Sequence, residues 1–168
     1  MRLFFALWPD LDVSRRLEHL AGQLTLDSRS RRVDPKNYHV TLAFVGEVPA
    51  TQLAVLQHIG RSVQAPRFTF ECDSVEFWQD SRVVVAAARA APSALLDLGT
   101  ALTEAIGLPR ERLRAHVTLA RKVTQAPVPQ AMSPVQWRAT TFSLIRSDTG
   151  GVESAYTVLD TWPLLDET

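Results

Sequence analysis

The sequence predicts an α+β fold with largely antiparallel sheets and with the helices outside. Two observations lead to this class. Apolar residues recur at helical spacing in some segments and at strand spacing in others, and the two kinds of segment follow one another without a regular βαβ alternation. The chain has 168 residues, of which 46% are hydrophobic and 21% charged. This composition is typical of a globular protein and excludes wholesale disorder, and the length suits one domain or two small lobes with a shared core.

The first half of the chain is predicted to contain two strands and two helices. Residues 2–8 are an apolar run that stops at Pro9, which favours a buried strand. Leucine and valine then recur at spacings of four, three and four, which predicts an amphipathic helix, and the polar segment 27–37 predicts a loop. The apolar residues of the first helix are Val13, Leu17, Leu20 and Leu24. A second strand is predicted over 38–45 and ends at Gly46. A second helix is predicted over 51–63, with Leu53, Leu56, Ile59 and Val63 on one face.

The second half is predicted to be rich in strands. Apolar residues alternate with polar ones over 68–72, which is typical of a half-buried strand. We expect Ser93 to cap a third helix that Gly107 ends, and the three prolines of 124–134 predict an extended loop. The other predicted strands are 75–78, 83–88, 115–121, and a hairpin of 140–147 and 154–159 around Gly150-Gly151.

Charge and cysteine content limit the functional classes. Eighteen basic residues balance eighteen acidic ones, so the chain is not expected to coat nucleic acid non-specifically, although it could bind a single phosphate. Cys72 is the only cysteine, which excludes an internal disulfide and a cysteine-based zinc site. The N-terminal apolar run is too short for a signal peptide, and no run reaches a membrane span. We therefore expect a cytoplasmic protein without membrane partners.

One internal repeat carries the candidate chemistry. The pentapeptide HVTLA at 39–43 recurs letter for letter at 116–120, and both copies lie in predicted strands. Because side chains alternate across a strand, His39, Thr41 and Ala43 should share one face. Val40, Leu42 and Phe44 should lie on the other. The second copy repeats this pattern with His116 and Thr118. If the two strands lie side by side, two histidines and two threonines converge on one cleft.

Such a cleft is suited to acid/base chemistry at phosphorus. Histidine, with an ordinary pKa of about 6.5, can give or take a proton near neutrality, and two histidines on opposite sides of a substrate can act as base and acid in one displacement. Threonine hydroxyls can donate hydrogen bonds to non-bridging phosphate oxygens. A cyclic phosphodiester requires no metal for this reaction. His39 and His116 are therefore candidate catalytic residues, and Thr41 and Thr118 candidate binding residues.

Other interpretations of the same residues are weaker. A single His-x-Thr in a strand is usually incidental, but two identical copies favour a site. Zinc would need a third ligand, and no acidic residue or cysteine lies within three positions of His116. We therefore predict no metal and no cofactor. His19 and His58 lie on predicted helix surfaces and are expected to be solvated.

At these residues the sequence resembles the two-histidine (2H) phosphoesterase superfamily, which is defined by paired His-x-Thr-x motifs. It looks most like the bacterial RNA 2′,3′-cyclic phosphodiesterases, historically called 2′-5′ RNA ligases. The resemblance spans nearly the whole chain and also includes RLFFAL at 2–7, NYHVTLAFVGEV at 37–48 and SAYTVL at 154–159.

The resemblance implies a single two-lobed domain over 1–168, in which two antiparallel sheets lie in a pseudo-twofold arrangement around a cleft. It also implies metal-independent hydrolysis of an RNA terminal 2′,3′-cyclic phosphate to a 2′-phosphomonoester. His39 would be the proton donor, His116 the proton acceptor, and Thr41 and Thr118 would bind the phosphate. RNA ends or small cyclic nucleotides would be the substrates, and no obligate protein partner is expected.

Two features of the site stay open at this level. Arg121 is a candidate substrate-binding residue, but regular alternation places it on the face opposite His116, so it reaches the cleft only if the strand ends or twists there. This chain also departs from the resembled family at Ala115, just before the second histidine, where the family's members often have a proline. The aromatic residue that stacks on the base is also open, and the candidates are Tyr38, Phe5, Phe44 and Trp78.

Two alternative functions remain beside hydrolysis. The same groups could join RNA ends through a 2′-5′ bond, which is the reverse reaction. A protein that binds phosphate-ended RNA without turnover is the other alternative, although binding alone would not need two titrating groups.

Overall fold

The computed structural model describes residues 1–151 and 154–166. Its helices are α1 (Leu11–Gly22), α2 (Leu53–Ser62) and α3 (Ser93–Ile106). Its strands are β1 (Arg2–Leu7), β2 (Arg31–Arg32), β3 (Val40–Glu47), β4 (Phe68–Cys72), β5 (Ser74–Trp78), β6 (Val83–Ala87), β7 (His116–Arg121), β8 (Val135–Ala139), β9 (Thr141–Asp148) and β10 (Ala155–Pro163). Short 3₁₀ turns at Pro35–Asn37 and Ala50–Gln52 precede β3 and α2.

The strands form two four-stranded sheets and one two-stranded sheet. The first sheet has the order β10-β9-β1-β3, the second β2-β7-β6-β5, and β4 pairs with β8. All pairings between these strands are antiparallel. The order β9-β1-β3 in the first sheet corresponds to β5-β6-β7 in the second, with α1 following β1 and α3 following β6. The predicted α+β class with a pseudo-twofold arrangement is confirmed.

Each large sheet has one face on the common core and one on the cleft. A single core cluster contains Leu3 and Phe5 of β1, Val84 of β6, and the buried faces of α1 and α3. Alternate residues of the same strands form two smaller clusters on the opposite faces. One contains Phe4, Ala6 and Ile145 with Trp8 and Tyr156, and the other contains Val83, Val85 and Ala87 with Trp78. These small clusters lie beneath the two histidine motifs.

Several element boundaries differ from the sequence prediction. The loop predicted over 27–37 contains β2, which forms because Arg31 and Arg32 pair with the end of β7. Strand β8 was not predicted, and it is stabilised by pairing with β4, far away in sequence. Strand β3 continues through Gly46, which adopts a φ of +88° and pairs with Leu3.

The start of α3 also differs, whereas its end is as predicted. Pro92, not Ser93, is the N-cap residue, because its carbonyl accepts the first helical hydrogen bonds, from the N–H groups of Leu95 and Leu96. Gly107 ends the helix with a φ of +82°, a left-handed conformation that costs glycine little. No helix in the described part of the chain combines the length and apolar character needed to cross a lipid bilayer.

Candidate active site

The two histidine motifs face each other from different sheets. Strand β3 is an edge of the first sheet, and β7 belongs to the second, where β2 pairs only with its last two residues. The motif strands are therefore neighbours across a cleft and not partners in one sheet. The charges of His116 and Arg121 both lower the pKa of His39, and Thr41 lines the same cavity as His116. The structure thus brings His39, Thr41 and His116 of the repeat close to one another.

Both imidazoles are oriented by the same hydrogen bond. His39 Nδ1–H donates to the carbonyl oxygen of Asn37 at 2.8 Å, and His116 Nδ1–H donates to that of Arg114 at 2.6 Å. A carbonyl oxygen can only accept, so each neutral ring carries its proton on Nδ1 and leaves Nε2 unprotonated. In both copies the acceptor is the residue two positions earlier. The motif therefore presents a pair of Nε2 atoms that can take or give protons.

His39 lies in an aromatic cage formed by Trp8, Phe4 and Tyr156. The Trp8 ring stacks on the imidazole at 5.3 Å between centroids with an interplanar angle of 7°. The rings of Phe4 and Tyr156 lie at 5.0 and 5.2 Å. This burial lowers the pKa of His39 to about 4, because desolvation disfavours the charged imidazolium. The free protein therefore holds His39 neutral at pH 7.

His116 has a more polar environment. Its ring lies 4.4 Å from that of Trp78, and the Arg114 guanidinium covers the same indole at 4.3 Å. Glu76 accepts a hydrogen bond from Arg114 at 3.2 Å. Burial is the main cause that lowers the pKa of His116, and the charge of Arg114 acts in the same direction. The hydrogen bond to the Arg114 carbonyl and the charge of Glu76 raise this pKa. The two histidines therefore share a motif but not an electrostatic environment.

A β-bulge interrupts each motif strand at the same position. Along β1, Ala6 pairs with Thr41 and Phe5 with Ala43, so Leu42 is the extra residue. Along β6, Val85 pairs with Thr118 and Val84 with Ala120, so Leu119 is the extra residue. Before the bulge, the threonine keeps the face of its histidine, as predicted. After it, the alternation is reversed.

The reversal corrects the predicted faces of three residues. Ala43 was expected beside His39 but is buried in the core, and Phe44 was expected in the core but is 50% exposed and lines the cleft. Arg121 occupies the position in its copy that Phe44 has in the first. Regular alternation placed Arg121 away from His116, yet the Arg121 charge lowers the pKa of both histidines. The bulge is the physical reason.

Sequence reasoning missed the residues that surround His39. Trp8 directly follows β1, whose Leu7 pairs with Val40, and this register brings it next to His39. Tyr156 comes from β10, and Asn37 connects the two regions because its Nδ2 donates to the carbonyl oxygen of Ser154 at 3.1 Å. No local pattern signals these contacts, since each depends on pairing between distant strands. His19 and His58 are exposed on helices, as predicted.

The arrangement can support acid/base catalysis at a bound phosphate. Two imidazoles with free Nε2 atoms, two threonine hydroxyls and one guanidinium are the groups that an in-line displacement at phosphorus uses. Within residues 1–151 and 154–166, no group of three or more His, Cys, Asp or Glu side chains could bind a metal ion. The two imidazoles offer proton transfer, and the hydroxyls and the guanidinium offer anion binding.

Comparisons with known proteins identify phosphoesterases as relatives of this chain. The family model described as LigT like phosphoesterase matches residues 7–85. The RNA 2′,3′-cyclic phosphodiesterase of Escherichia coli K12 is 28% identical, with 97% of this chain and 96% of that protein aligned. The protein of the same name from Thermus thermophilus is also 28% identical, over 99% of this chain and 92% of its own length.

Solved structures show the same fold at similar identity. The crystal structure of E. coli LigT complexed with NADP⁺ has a TM-score of 0.88 and 30% identity and covers 97% of both chains. The complex of E. coli LigT with 3′-AMP has a TM-score of 0.87 and 28% identity, again with 97% of both chains covered.

Proposed function

We propose, from the premise that this chain belongs to the LigT-like phosphoesterase family of the 2H superfamily, that it hydrolyses the 2′,3′-cyclic phosphate at an RNA end to a 2′-phosphomonoester. The observation that carries the proposal is the repeated orientation of His39 and His116, each with Nδ1–H on a backbone carbonyl and Nε2 free. The names of the E. coli and Thermus relatives support this substrate, as does the E. coli LigT complex with 3′-AMP.

The reaction needs two proton transfers. His116 Nε2 takes a proton from water as the water oxygen bonds to phosphorus, and His39 Nε2–H gives a proton to the 3′ oxygen as its bond to phosphorus breaks. His39 is neutral in the free protein. A bound phosphate anion favours its protonated form, since opposite charges raise the pKa of a nearby imidazole. This assignment of donor and acceptor follows the family resemblance.

The remaining site residues bind the phosphate. Thr41 and Thr118 share the faces of the two histidines, and their hydroxyls donate to the non-bridging oxygens. Arg121 adds a positive charge, which lowers the pKa of both histidines. A guanidinium offers a planar fork of donors that suits phosphate oxygens. Substrate binding and charge neutralisation in the transition state are the roles that we assign to these three side chains.

We also propose that residues 1–168 act as one two-lobed domain. The site takes one motif from each large sheet, and a single apolar core joins both sheets.

The unique cysteine, Cys72, is buried and its pKa is raised to about 12 by that burial, so its thiol is unreactive. A protein without disulfides suits the cytoplasm, where we place the reaction.

An assay in excess EDTA tests the proposal. The substrate is an oligoribonucleotide with a 2′,3′-cyclic phosphate end, the product is identified by phosphorus NMR, and the proteins are wild type, His39→Ala, His116→Ala and His58→Ala. We expect a 2′-phosphate product from wild type and from the exposed control His58→Ala. Loss of either cleft histidine should lower the rate by about 10²- to 10⁴-fold, which is the usual contribution of a general acid or base.

The alternatives give different results in the same assay. Tight binding of the oligonucleotide with no product from wild type would contradict hydrolysis and favour a non-catalytic binder. A 2′-5′ linkage formed when a 5′-hydroxyl oligonucleotide is added would show the joining reaction. A 3′-phosphate product would contradict the assigned leaving group.

A further inference from the structure

A cavity on the His116 side of the cleft extends beyond the reaction centre. Its volume is about 680 Å³, and its walls are residues 41–44 of β3, one face of α3 and the segment 108–114. Thr41 and His116 belong to its lining, so it opens directly onto the site of chemistry. Cavities of this size bind nucleotide-sized ligands. The cavity is therefore large enough for a nucleoside attached to the reacting phosphate.

Phe44 gives this cavity an aromatic surface. Half of its side chain is exposed, which is uncommon for a phenylalanine in a strand and costs apolar burial. The Arg2 guanidinium lies 4.9 Å from the ring centroid, and the half that stays exposed borders the cavity. An exposed ring of this kind can stack on a nucleobase, whatever the base.

The other aromatic candidates for base stacking are either buried in the core or already in contact with polar side chains. Phe5 and Tyr38 are 0% and 1% exposed and belong to the core. Trp78 has His116 at 4.4 Å and Arg114 at 4.3 Å against its ring. Trp78 also lines the cavity, but its ring is already contacted by those two side chains, so Phe44 has the most exposed ring of the four aromatic candidates.

Arg112 gives the cavity a positively charged side chain that is distinct from Arg121. Arg112 lies in the cavity wall, whereas Arg121 does not. Arg110 is bonded to Glu104, and Arg114 to Glu76. Within the described residues Arg112 forms no ion pair, and Glu111, the one acidic residue in the wall, forms none either. A second anion is the natural partner for this exposed guanidinium.

We infer that the cavity binds the terminal nucleoside of the substrate, with the base on Phe44 and the 5′-phosphate group of that nucleoside at Arg112. An RNA end has such a phosphate because its last nucleotide is joined to the chain, whereas a nucleoside 2′,3′-cyclic phosphate has none. The preferred substrate is therefore a 2′,3′-cyclic phosphate that also carries a 5′-phosphate. This inference rests on the proposed hydrolysis and adds the residues that determine specificity.

The test compares four substrates: ribose 2′,3′-cyclic phosphate, adenosine 2′,3′-cyclic phosphate, its 5′-phosphorylated form, and the dinucleotide ApA with a 2′,3′-cyclic phosphate end. The ratio of kcat/KM between two substrates isolates the contribution of one group. The proteins are wild type, Phe44→Ala, Phe44→Tyr, Arg112→Ala and Arg112→Lys. Arg138→Ala is the matched control, since Arg138 lies on β8 and not in this cavity.

We expect a gain of about tenfold in kcat/KM from the base and about tenfold from the 5′-phosphate, each equal to about 1.4 kcal/mol. Phe44→Ala should remove the first gain and Phe44→Tyr should keep it. Arg112→Ala should remove the second gain for both 5′-linked substrates, and Arg112→Lys should restore part of it. Arg138→Ala should keep both gains.

Three results would overturn the inference, wholly or in part. If wild type hydrolyses adenosine 2′,3′-cyclic phosphate and its 5′-phosphorylated form equally well, the role of Arg112 is wrong while the proposed function stands. If Phe44→Ala keeps the full preference for the base, the stacking surface is elsewhere. Failure of wild type to hydrolyse all four substrates would reject the proposed function together with the inference.

Discussion

At the scale of single residues, two identical pentapeptides acquire different acid/base properties. The histidines share a hydrogen bond to a carbonyl two residues earlier, but their neighbours differ. Trp8, Phe4 and Tyr156 enclose His39 and lower its pKa to about 4. His116 has Glu76 nearby, which partly offsets the effect of burial. The surroundings, and not the motif, make the two histidines unlike.

Trp8→Leu should raise the pKa of His39 from about 4 toward its ordinary 6.5, because water then reaches the imidazole face that the indole covers. Trp8→Phe keeps an aromatic ring there and should preserve most of the shift. An NMR titration of the His39 ring protons measures both variants, with exposed His19 as the internal reference. A His39 pKa that stays near 4 in Trp8→Leu would show that the indole does not cause the desolvation.

At the scale of secondary structure elements, the paired bulges at Leu42 and Leu119 define the site. Each bulge follows the His-x-Thr of its strand and reverses the alternation that precedes it. The residue five positions after the histidine is consequently directed to the cleft in both copies, as Phe44 in one and Arg121 in the other. The same bulge therefore directs the Phe44 ring to one side of the cleft and the Arg121 guanidinium to the other.

Glycines at the C-terminal ends of α1 and α3, Gly22 and Gly107, allow a matched comparison of glycine-to-alanine substitutions. A Cβ added at Gly22 or at Gly107 would meet no atom within 4 Å, but only Gly107 has a positive φ, +82°. Gly107→Ala should therefore lower the free energy of unfolding by about 1 kcal/mol through backbone strain. Gly22→Ala, at the end of α1, should raise it by up to about 1 kcal/mol through helix propensity. Urea denaturation midpoints measure both, and equal signs would contradict the assignment of strain to Gly107.

At the scale of the whole molecule, the two sheets bury two histidines, and this burial makes the stability of the fold depend on pH. Burial between the sheets and the aromatic clusters keeps both histidines neutral, since the pKa of each is lowered. The unfolded chain has no such burial, and its histidines titrate near 6.5. Between pH 6.5 and 4 the unfolded state therefore binds more protons than the folded state. Stability consequently falls as the pH falls through this window.

The contribution of His39 to this loss should reach about 3 kcal/mol at pH 4, from a shift between 6.5 and about 4. Urea denaturation of wild type and His39→Asn at pH 7.5 and 4.5 measures it, and the variant should lose distinctly less stability on acidification. His58→Gln, on an exposed helix surface, serves as the control and should behave as wild type. Carboxylates such as Asp34 and Asp73 have pKa values held below 3.8 by backbone hydrogen bonds, so they contribute at lower pH. Identical pH dependence in wild type and His39→Asn would contradict a buried neutral His39.

The sequence by itself determined the elements with strong periodicity, the α+β class and the candidate histidines. These features follow from local spacing: apolar residues at helical intervals in α1 and α3, and an exact pentapeptide repeat in two strands. The threonines followed from the strand period of two, which holds between each histidine and the bulge.

Only the tertiary structure decided which faces the residues after the bulges occupy and what surrounds each histidine. Strands β2 and β8 exist because distant strands pair with them, and the extra residues at Leu42 and Leu119 exist because β1 and β6 fix the register. Trp8, Tyr156 and the cavity beside Phe44 likewise depend on contacts between segments far apart in the chain. Local patterns encode the period of a strand, but its register and its neighbours are set by long-range packing, so these features emerge only in the folded molecule.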